Sequence, residues 1–515
     1  MASIPPERPG GLLHASRQGG LLTAEGNAKP KLRRELGLWD LVLLNIVAIT
    51  NLNLVPVVAA GGLGTASLWV VALLFFFVPQ AIAVTEFSAR YPEEGGIYLW
   101  SKKQFGDFHG FLSGWCYWIN NVCYIPTLLF YLVGISVYVG GERTLRLGDQ
   151  PWFVFVFAVG SLWLMIALNL RGLGTGKWIH NLGGAGAWIV ATTFILVGGW
   201  ALLSHGSAEA ITWKQFFVGR SDWKSLSAFG TICFGLVGLE LASVMGDEIR
   251  NPKRDVPRAV VVAGVASGAL YLASTVILLM TIPHQEVGVI QGVLQAISRM
   301  AGGVHQSWMT PVLALILASS IAGTASAWLV GSARIPFVAG LDRYLPAAFG
   351  KMHERWQTPY VALAVQGILS TAMVALSFSR AGVKEAYLTL LNVAVIIQLV
   401  PFLYLYAGLA KMAWRFAAGG AGGFYKSRWL LLSAGISGFL STAAAMTLAL
   451  IPSRDIQNVF LYEFKTLLGC FLLIGSAAAI FRWRTRSARI TVAARGGGSA
   501  NPTAQGKPLD PFSEE

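Results

Sequence analysis

The chain has 515 residues, of which 55% are hydrophobic and only 12% charged, with 39 Lys and Arg against 25 Asp and Glu for a net charge of +14. A soluble domain is about 25% charged, so this composition excludes a disordered chain, a disulfide scaffold and an ordinary soluble enzyme. The mean hydropathy of +0.59, with 58 Gly and 18 Trp, fits a polytopic membrane protein, where Gly lets helices approach and Trp sits at interfaces.

Four cysteines (Cys116, Cys123, Cys233, Cys470) lie in apolar stretches without CxxC spacing. Neither a metal site, a disulfide framework nor a cofactor is expected. Residues 1–36 are polar and basic and lack a short apolar core ending in a cleavage site, so no signal peptide is expected.

A spanning helix needs about 20 mostly apolar residues. Twelve stretches qualify, near 38–60, 68–90, 109–139, 152–170, 180–203, 226–248, 257–282, 309–339, 359–378, 384–410, 428–450 and 458–482. Barrel strands would be about ten residues long and alternating. These stretches are longer and apolar all round, which predicts an all-α polytopic membrane protein with 12 transmembrane helices. Twelve spans put both tails on one side. The loops on that side hold more Lys and Arg than those opposite, so both termini are expected in the cytoplasm of a cell-membrane protein. The positive charge then reflects this bias and not a nucleic-acid surface. Arg482, Arg484, Arg486 and Arg489 are placed on anionic headgroups of the bilayer. The 283–308 loop contains a stretch that predicts a short outer-surface helix.

Irregular backbone at mid-membrane is tolerated only where it lines a cavity, so interrupted spans carry the information. Span 1 clusters Thr50, Asn51, Asn53 and Pro56 past its middle. In span 6, Gly230, Gly235 and Gly238 precede Glu240, a carboxylate within an apolar helix. Paired interruptions at corresponding places in two halves point to a transporter's binding site. The two spans correspond if the fold is an inverted repeat of five helices plus two extra helices. A broken helix offers N–H groups at one half and C=O groups at the other, which suits a small zwitterion. The competing reading is ordinary glycine packing and a proline kink.

Four stretches resemble the amino acid–polyamine–organocation transporter superfamily. They are "EFSARYPEEGGIYLWSKKQFG" (86–106), "CFGLVGLELASVMGDEIRNPKRDVPRAV" (233–260), "SAWLVGSARIPFVAGLDRYLPAAFGKMHERWQTP" (326–359) and "LVPFLYLYAGLA" (399–410). Span 1 and "IPTLLFYLVG" (125–134) are most similar to the bacterial glutamate/γ-aminobutyrate antiporter group, and the plant polyamine-uptake group is a second resemblance. The resemblance implies a cytoplasmic N-tail over 1–36, a core of two inverted five-helix repeats over 37–410, helices 11 and 12 over 411–484, and a C-tail over 485–515. Both tails are rich in Gly, Pro, Ser and charge and are expected to be disordered. The family's Gly-Ser-Gly break in span 1 is replaced here by Val47, Ala48 and Ile49, followed by Thr50 and Asn51. Some proton-coupled members carry a lysine in span 5, but here only Lys177 and His180 occur, at its cytoplasmic end.

By the same resemblance, Phe234 and Gly235 mark the break of span 6, Phe234 being a gating aromatic, and Trp328 is a substrate-facing wall. Asn121 and Gln398 face the pocket. Helical spacing puts Tyr117, Asn121 and Tyr124 on one face. The candidate substrate-binding set is therefore Ala48, Ile49, Thr50, Asn51, Tyr117, Asn121, Tyr124, Phe234, Gly235, Gly238, Trp328 and Gln398. For each aromatic the alternative is core packing, and for each amide a bond to a neighbouring helix. Glu240 either relays a proton or holds the broken helix by bonding the span 1 backbone. Glu86, Glu94, Glu248, Arg250, Arg254 and Arg258 are read as a solvated cytoplasmic rim, with an inner-gate ion pair as the sharper alternative.

The function expected is a secondary transporter, permease or antiporter, for amino acids, with a proton or counter-substrate as possible partner. An alternative is a polyamine or organic-amine carrier of the same fold, but that would need several acids in the pocket and only Glu240 qualifies. An enzyme would need catalytic pairs or motifs such as HExxH, GxSxG or a Walker loop, and none occurs. A channel would need a filter ring, which nothing suggests.

Overall fold

The computed structural model describes residues 35–93, 95–207, 223–290, 292–301, 309–377, 383–415, 423–451 and 459–496. The first predicted span is two helices, α1 (Leu38–Ile49) and α2 (Leu54–Ala59). The second is α3 (Thr65–Arg90), with one π-helical turn at Leu73–Phe77. A short helix that the sequence reading leaves unassigned, α4 (Ile97–Phe105), precedes α5 (Asp107–Ser136), α6 (Pro151–Leu170) and α7 (Leu173–His205). The sixth predicted span is again two pieces, α8 (Ala228–Gly235) and α9 (Leu241–Val244). Then come α10 (Pro252–Thr281), the short helix α11 (Gly292–Ala301) expected in the 283–308 loop, α12 (Met309–Leu341) and α13 (Tyr360–Ser377). The chain closes with α14 (Val383–Arg415), α15 (Arg428–Leu448) and α16 (Val459–Gly496). α16 therefore runs past residue 484, where the sequence reading starts the C-tail.

Among the described residues, eleven helices are long and apolar enough to cross a membrane. The α8–α9 stretch falls outside that number, whereas α1–α2 with its own break is within it. The other long helices are uninterrupted for the reason the sequence suggests: long apolar runs whose backbone bonds close internally. Burial sorts them. The most apolar stretches of α1–α2 and α5 are 89% buried inside the protein, that of α16 only 17%. The first and third spans are thus central, and α16 shows its side chains to lipid.

α12 packs on α5, α7 and α1, while α10 packs on α1, α3 and α7. α7 and α12 approach through facing glycines: a Cβ on Gly183 would lie 2.7 Å from the Gly323 Cα. Only glycine permits that spacing. Exposed tryptophans other than Trp163, which lies midway along α6, mark two levels. Trp39, Trp178, Trp414, Trp429 and Trp483 lie towards the predicted cytoplasmic ends, and Trp152 and Trp200 towards the opposite ends. Such aromatic belts sit at membrane–water boundaries.

Candidate functional site

The two broken spans meet. α1 stops at Ile49 and α2 starts at Leu54. Pro56 lies in the first turn of α2, where a missing N–H costs little. α8 stops at Gly235, and the chain is irregular until Leu241. Gly238 has φ +135°, and a Cβ there would lie 3.1 Å from the Ala48 carbonyl carbon and from Ile49 Cγ1. A side chain at 238 would be strained both by conformation and by the neighbouring helix.

Tyr271 of α10 ties the breaks together. Its hydroxyl accepts from Asn51 N at 2.8 Å and lies 2.5 Å from the Ile49 carbonyl and 3.1 Å from that of Gly235. Trp69 stacks on its ring at 4.5 Å. Other carbonyls at the end of α1 are also engaged. Ala48 O accepts from Asn51 Nδ2 at 2.9 Å and Trp328 Nε1 at 3.2 Å, and Val47 O accepts from Thr324 at 3.0 Å. The sequence reading offers these carbonyls to a ligand; in this structure neighbouring side chains hold them. Thr50 Oγ1 pairs with Ser267 Oγ at 3.1 Å.

Glu240 is fully buried. One oxygen accepts from Gly238 N at 3.0 Å and Gln80 Nε2 at 2.9 Å, the other from Tyr117 Oη at 3.0 Å. It therefore holds the loop of its own span and ties it to α3 and α5. The bond to the span 1 backbone envisaged from sequence is not formed. Around it, Tyr124 meets Phe234 edge-on at 4.8 Å, while Trp328 lies 6.1 Å from Tyr117 and 6.4 Å from Tyr124. Asn121 donates to the Tyr117 carbonyl at 2.9 Å. Gln398 accepts from Asn120 Nδ2 at 2.7 Å.

The structure thus brings Ala48, Ile49, Thr50, Asn51, Tyr117, Asn121, Tyr124, Phe234, Gly235, Gly238, Trp328 and Glu240 around the two breaks, with Gln398 linked to α5 through Asn120. Gly230 is elsewhere: a Cβ on it would meet Ala449 and the Ala445 carbonyl. Sequence reasoning missed Tyr271, Gln80, Asn120 and Thr324. A buried tyrosine hydroxyl usually needs a partner, and that signal alone could have singled out Tyr271. A cavity of about 270 Å³ lies beyond the breaks towards the predicted outer side, lined by Val57, Gly61, Thr231, His284, Asn392 and Tyr462 among others.

At the opposite end the expected solvated rim is only partly so. Arg250, Arg254 and Arg258 are exposed. Glu86 is fully buried, accepting from Arg90 Nε at 2.6 Å and from Phe424 N and Tyr425 N at 2.8 and 2.9 Å. Glu248 is buried against Arg334, so for these two acids the solvated reading is corrected. Charges so deep in the protein persist only when paired. Glu94 and the side chain of Lys177 lie outside the described residues. His180 is buried 3.2 Å from Ser326 Oγ. Beside α4, Asp342 accepts from Tyr98 Oη at 2.6 Å and Lys102 Nζ at 2.8 Å. Burial, and then the Asp342 carboxylate, push the Tyr98 phenol well above its ordinary value, so it stays a donor.

Interrupted, abutting helices inside a bundle of spans are the architecture of a membrane transporter. Residues 36–473 match the amino acid permease family, and the chain belongs to that family, within the amino acid–polyamine–organocation superfamily. It is 27% identical over 458 residues to an uncharacterized transporter of Legionella pneumophila, covering 87% of this chain and 96% of that relative. It is 23% identical to a probable agmatine/putrescine antiporter of Lactococcus lactis, covering 67% and 72%. It is 24% identical to a glutamate/gamma-aminobutyrate antiporter of Lactococcus lactis, covering 73% and 75%.

Proposed function

We propose that this transporter is a secondary carrier moving amino acids across the cell membrane by alternating access, with the substrate held between the α1–α2 and α8–α9 breaks. The observation that carries the reading is the direct meeting of the breaks, Gly238 against Ala48 and Ile49. On this reading residues 37–410 form two inverted five-helix repeats, 411–484 add two helices, and both termini are cytoplasmic. The substrate ammonium takes the place of Asn51 Nδ2 and Trp328 Nε1 at the Ala48 carbonyl. Phe234 and Tyr124 close over it and exclude water. Glu240 is a structural brace and not a proton relay. No step requires an enzyme's catalytic groups.

The alternative is transport of a polyamine, as the name of the agmatine/putrescine relative suggests. A polycation needs free carboxylates, and Glu240 already accepts three hydrogen bonds. That favours amino acids. Counterflow in liposomes containing the pure protein tests both: saturable uptake of a labelled amino acid, stimulated by internal unlabelled amino acid, is expected. Counterflow with putrescine or spermidine alone would overturn the amino acid reading.

A further inference from the structure

Arg250 precedes α10, and Lys253, Arg254 and Arg258 lie in its first two turns; all four side chains are exposed. Among the described residues no acid forms an ion pair with any of them. Glu248 is held by Arg334, and Asp255, between Arg254 and Arg258 in the chain, is buried. Left to the protein alone this arrangement is unfavourable. Like charges four residues apart on a helix repel, and cations oppose the positive end of the helix dipole. A counter-charge from outside the protein removes both penalties. The same helix face says what carries it. Steps of three, four and seven from Arg258 reach Val261, Val262 and Val265, which are 59%, 48% and 72% exposed, while Val256, Ala259, Val260 and Ala263 are buried against the bundle. Side chains so spaced share one face of a helix. α10 is long and apolar enough to cross the membrane, so the valines meet acyl chains. Arg258 and Arg254 stand about one and two turns beyond Val262, at the depth of the headgroups.

We propose that the start of α10 binds an anionic phospholipid, which steadies the inner ends of both broken spans. Its phosphate accepts from Arg254 and Arg258, a charge-assisted pairing that suits guanidinium groups, and an acyl chain runs along Val261, Val262 and Val265. A free phosphate would use only the basic half of this face; a lipid uses all of it. The chain leading into α10 is fastened to both interruptions. Arg250 N donates to the Leu36 carbonyl at 3.0 Å, and Glu35 N and Leu36 N donate to the Glu248 carbonyl at 3.0 and 3.1 Å. The end of the sixth span is thereby paired with the segment ahead of α1, and a headgroup held just beyond that pairing pins both to the bilayer surface. None of this depends on which substrate is carried, so the inference stands apart from the function proposed above.

The test is a titration of the purified full chain in detergent with phosphatidylglycerol, phosphatidylcholine or inorganic phosphate, following the unfolding midpoint, which a ligand of the native state raises. Phosphatidylglycerol is expected to raise it saturably and the other two are not. Arg254→Gln/Arg258→Gln is expected to weaken half-saturation at least about tenfold, each basic residue at an anionic surface being worth roughly fivefold. Arg482→Gln/Arg486→Gln removes as much exposed charge from α16 and is expected to leave half-saturation unchanged. Hydrogen–deuterium exchange of the segments holding Leu36 and Arg250 is expected to slow when phosphatidylglycerol is added, as it does where local opening is suppressed. An equal rise with phosphatidylcholine overturns the selection of an anionic headgroup, and an equal rise with inorganic phosphate overturns the lipid. An undiminished response in the α10 double variant, or an equal loss in the α16 double variant, overturns the site. Should the α10 variant fail to fold, the three titrations of the unaltered protein decide. Unchanged hydrogen exchange in both segments overturns the hold on the broken spans.

Discussion

Arg334 and Glu248 face each other as a fork, Nε to Oε1 at 2.7 Å and Nη2 to Oε2 at 3.1 Å, with 2% and 4% of their side chains exposed. The pair joins α12 to the end of the broken sixth span, and the Glu248 carbonyl also receives the backbone N–H of Leu36 ahead of α1. Both interrupted spans are therefore fastened to α12 at the predicted cytoplasmic end.

Removing one partner of a buried pair strands the other, at about 3–5 kcal/mol. Arg334→Met is expected to lower the thermal unfolding midpoint in detergent sharply. The Arg334→Met/Glu248→Leu double variant is expected to recover most of that loss. A single variant as stable as the unaltered protein would show that the charges are not held together out of water.

Tyr271→Phe deletes one oxygen and its bonds to Asn51 N, Ile49 O and Gly235 O, while Asn51 N keeps its bond to the Ile49 carbonyl at 2.7 Å, so the cost is about 0.5–1.5 kcal/mol for each bond lost. Because that oxygen touches both breaks, counterflow is expected to fall much further than stability does. Comparing unfolding midpoint with exchange rate checks this, and unchanged exchange would contradict the bridging role.

Gly238→Ala places a Cβ at φ +135° and 3.1 Å from the Ala48 carbonyl carbon. Strain of this kind is about 1–3 kcal/mol, and relief requires the breaks to separate. Loss of exchange is expected with the protein still folded, as read by size exclusion and counterflow. Gly230→Ala, against α15, is expected to cost stability instead.

Glu240→Gln separates brace from relay. A glutamine oxygen can accept from Gly238 N and Gln80 Nε2, while its NH2 donates to Tyr117 Oη. Retained exchange is expected with a loss of about 1–3 kcal/mol for the one Tyr117 O–H left without an acceptor, whereas Glu240→Leu strands three buried donors at about that cost each. Abolished exchange in a stable Glu240→Gln protein would favour the relay.

The spans were legible because an apolar run of sufficient length has one low-energy arrangement in lipid, the helix. The places of interruption were legible too: Thr50, Asn51 and Asn53 before Pro56, and Gly238 beside Glu240, are residues an unbroken apolar helix has little use for. Their partners were not. Tyr271 went unnoticed and Trp328 read as a substrate-facing wall, since an apolar stretch does not say which hydroxyl or indole N–H points at a carbonyl from a remote helix. Glu86 and Glu248 read as solvated because their position along the chain puts them near a membrane boundary. Arg334 and the Phe424 and Tyr425 amides reach them only through folding.

By itself the sequence determined that the chain crosses a membrane as helices, that two of them are broken, and roughly where. Those are local consequences of hydrophobicity and backbone chemistry. Tertiary structure alone decided what satisfies the exposed peptide groups, which acids are buried, and which remote amides meet. The physical reason is that hydrogen-bond partners are chosen by proximity in space, and the ones that matter here, Asn51 with Tyr271 and Asn120 with Gln398, lie 220 and 278 residues apart along the chain.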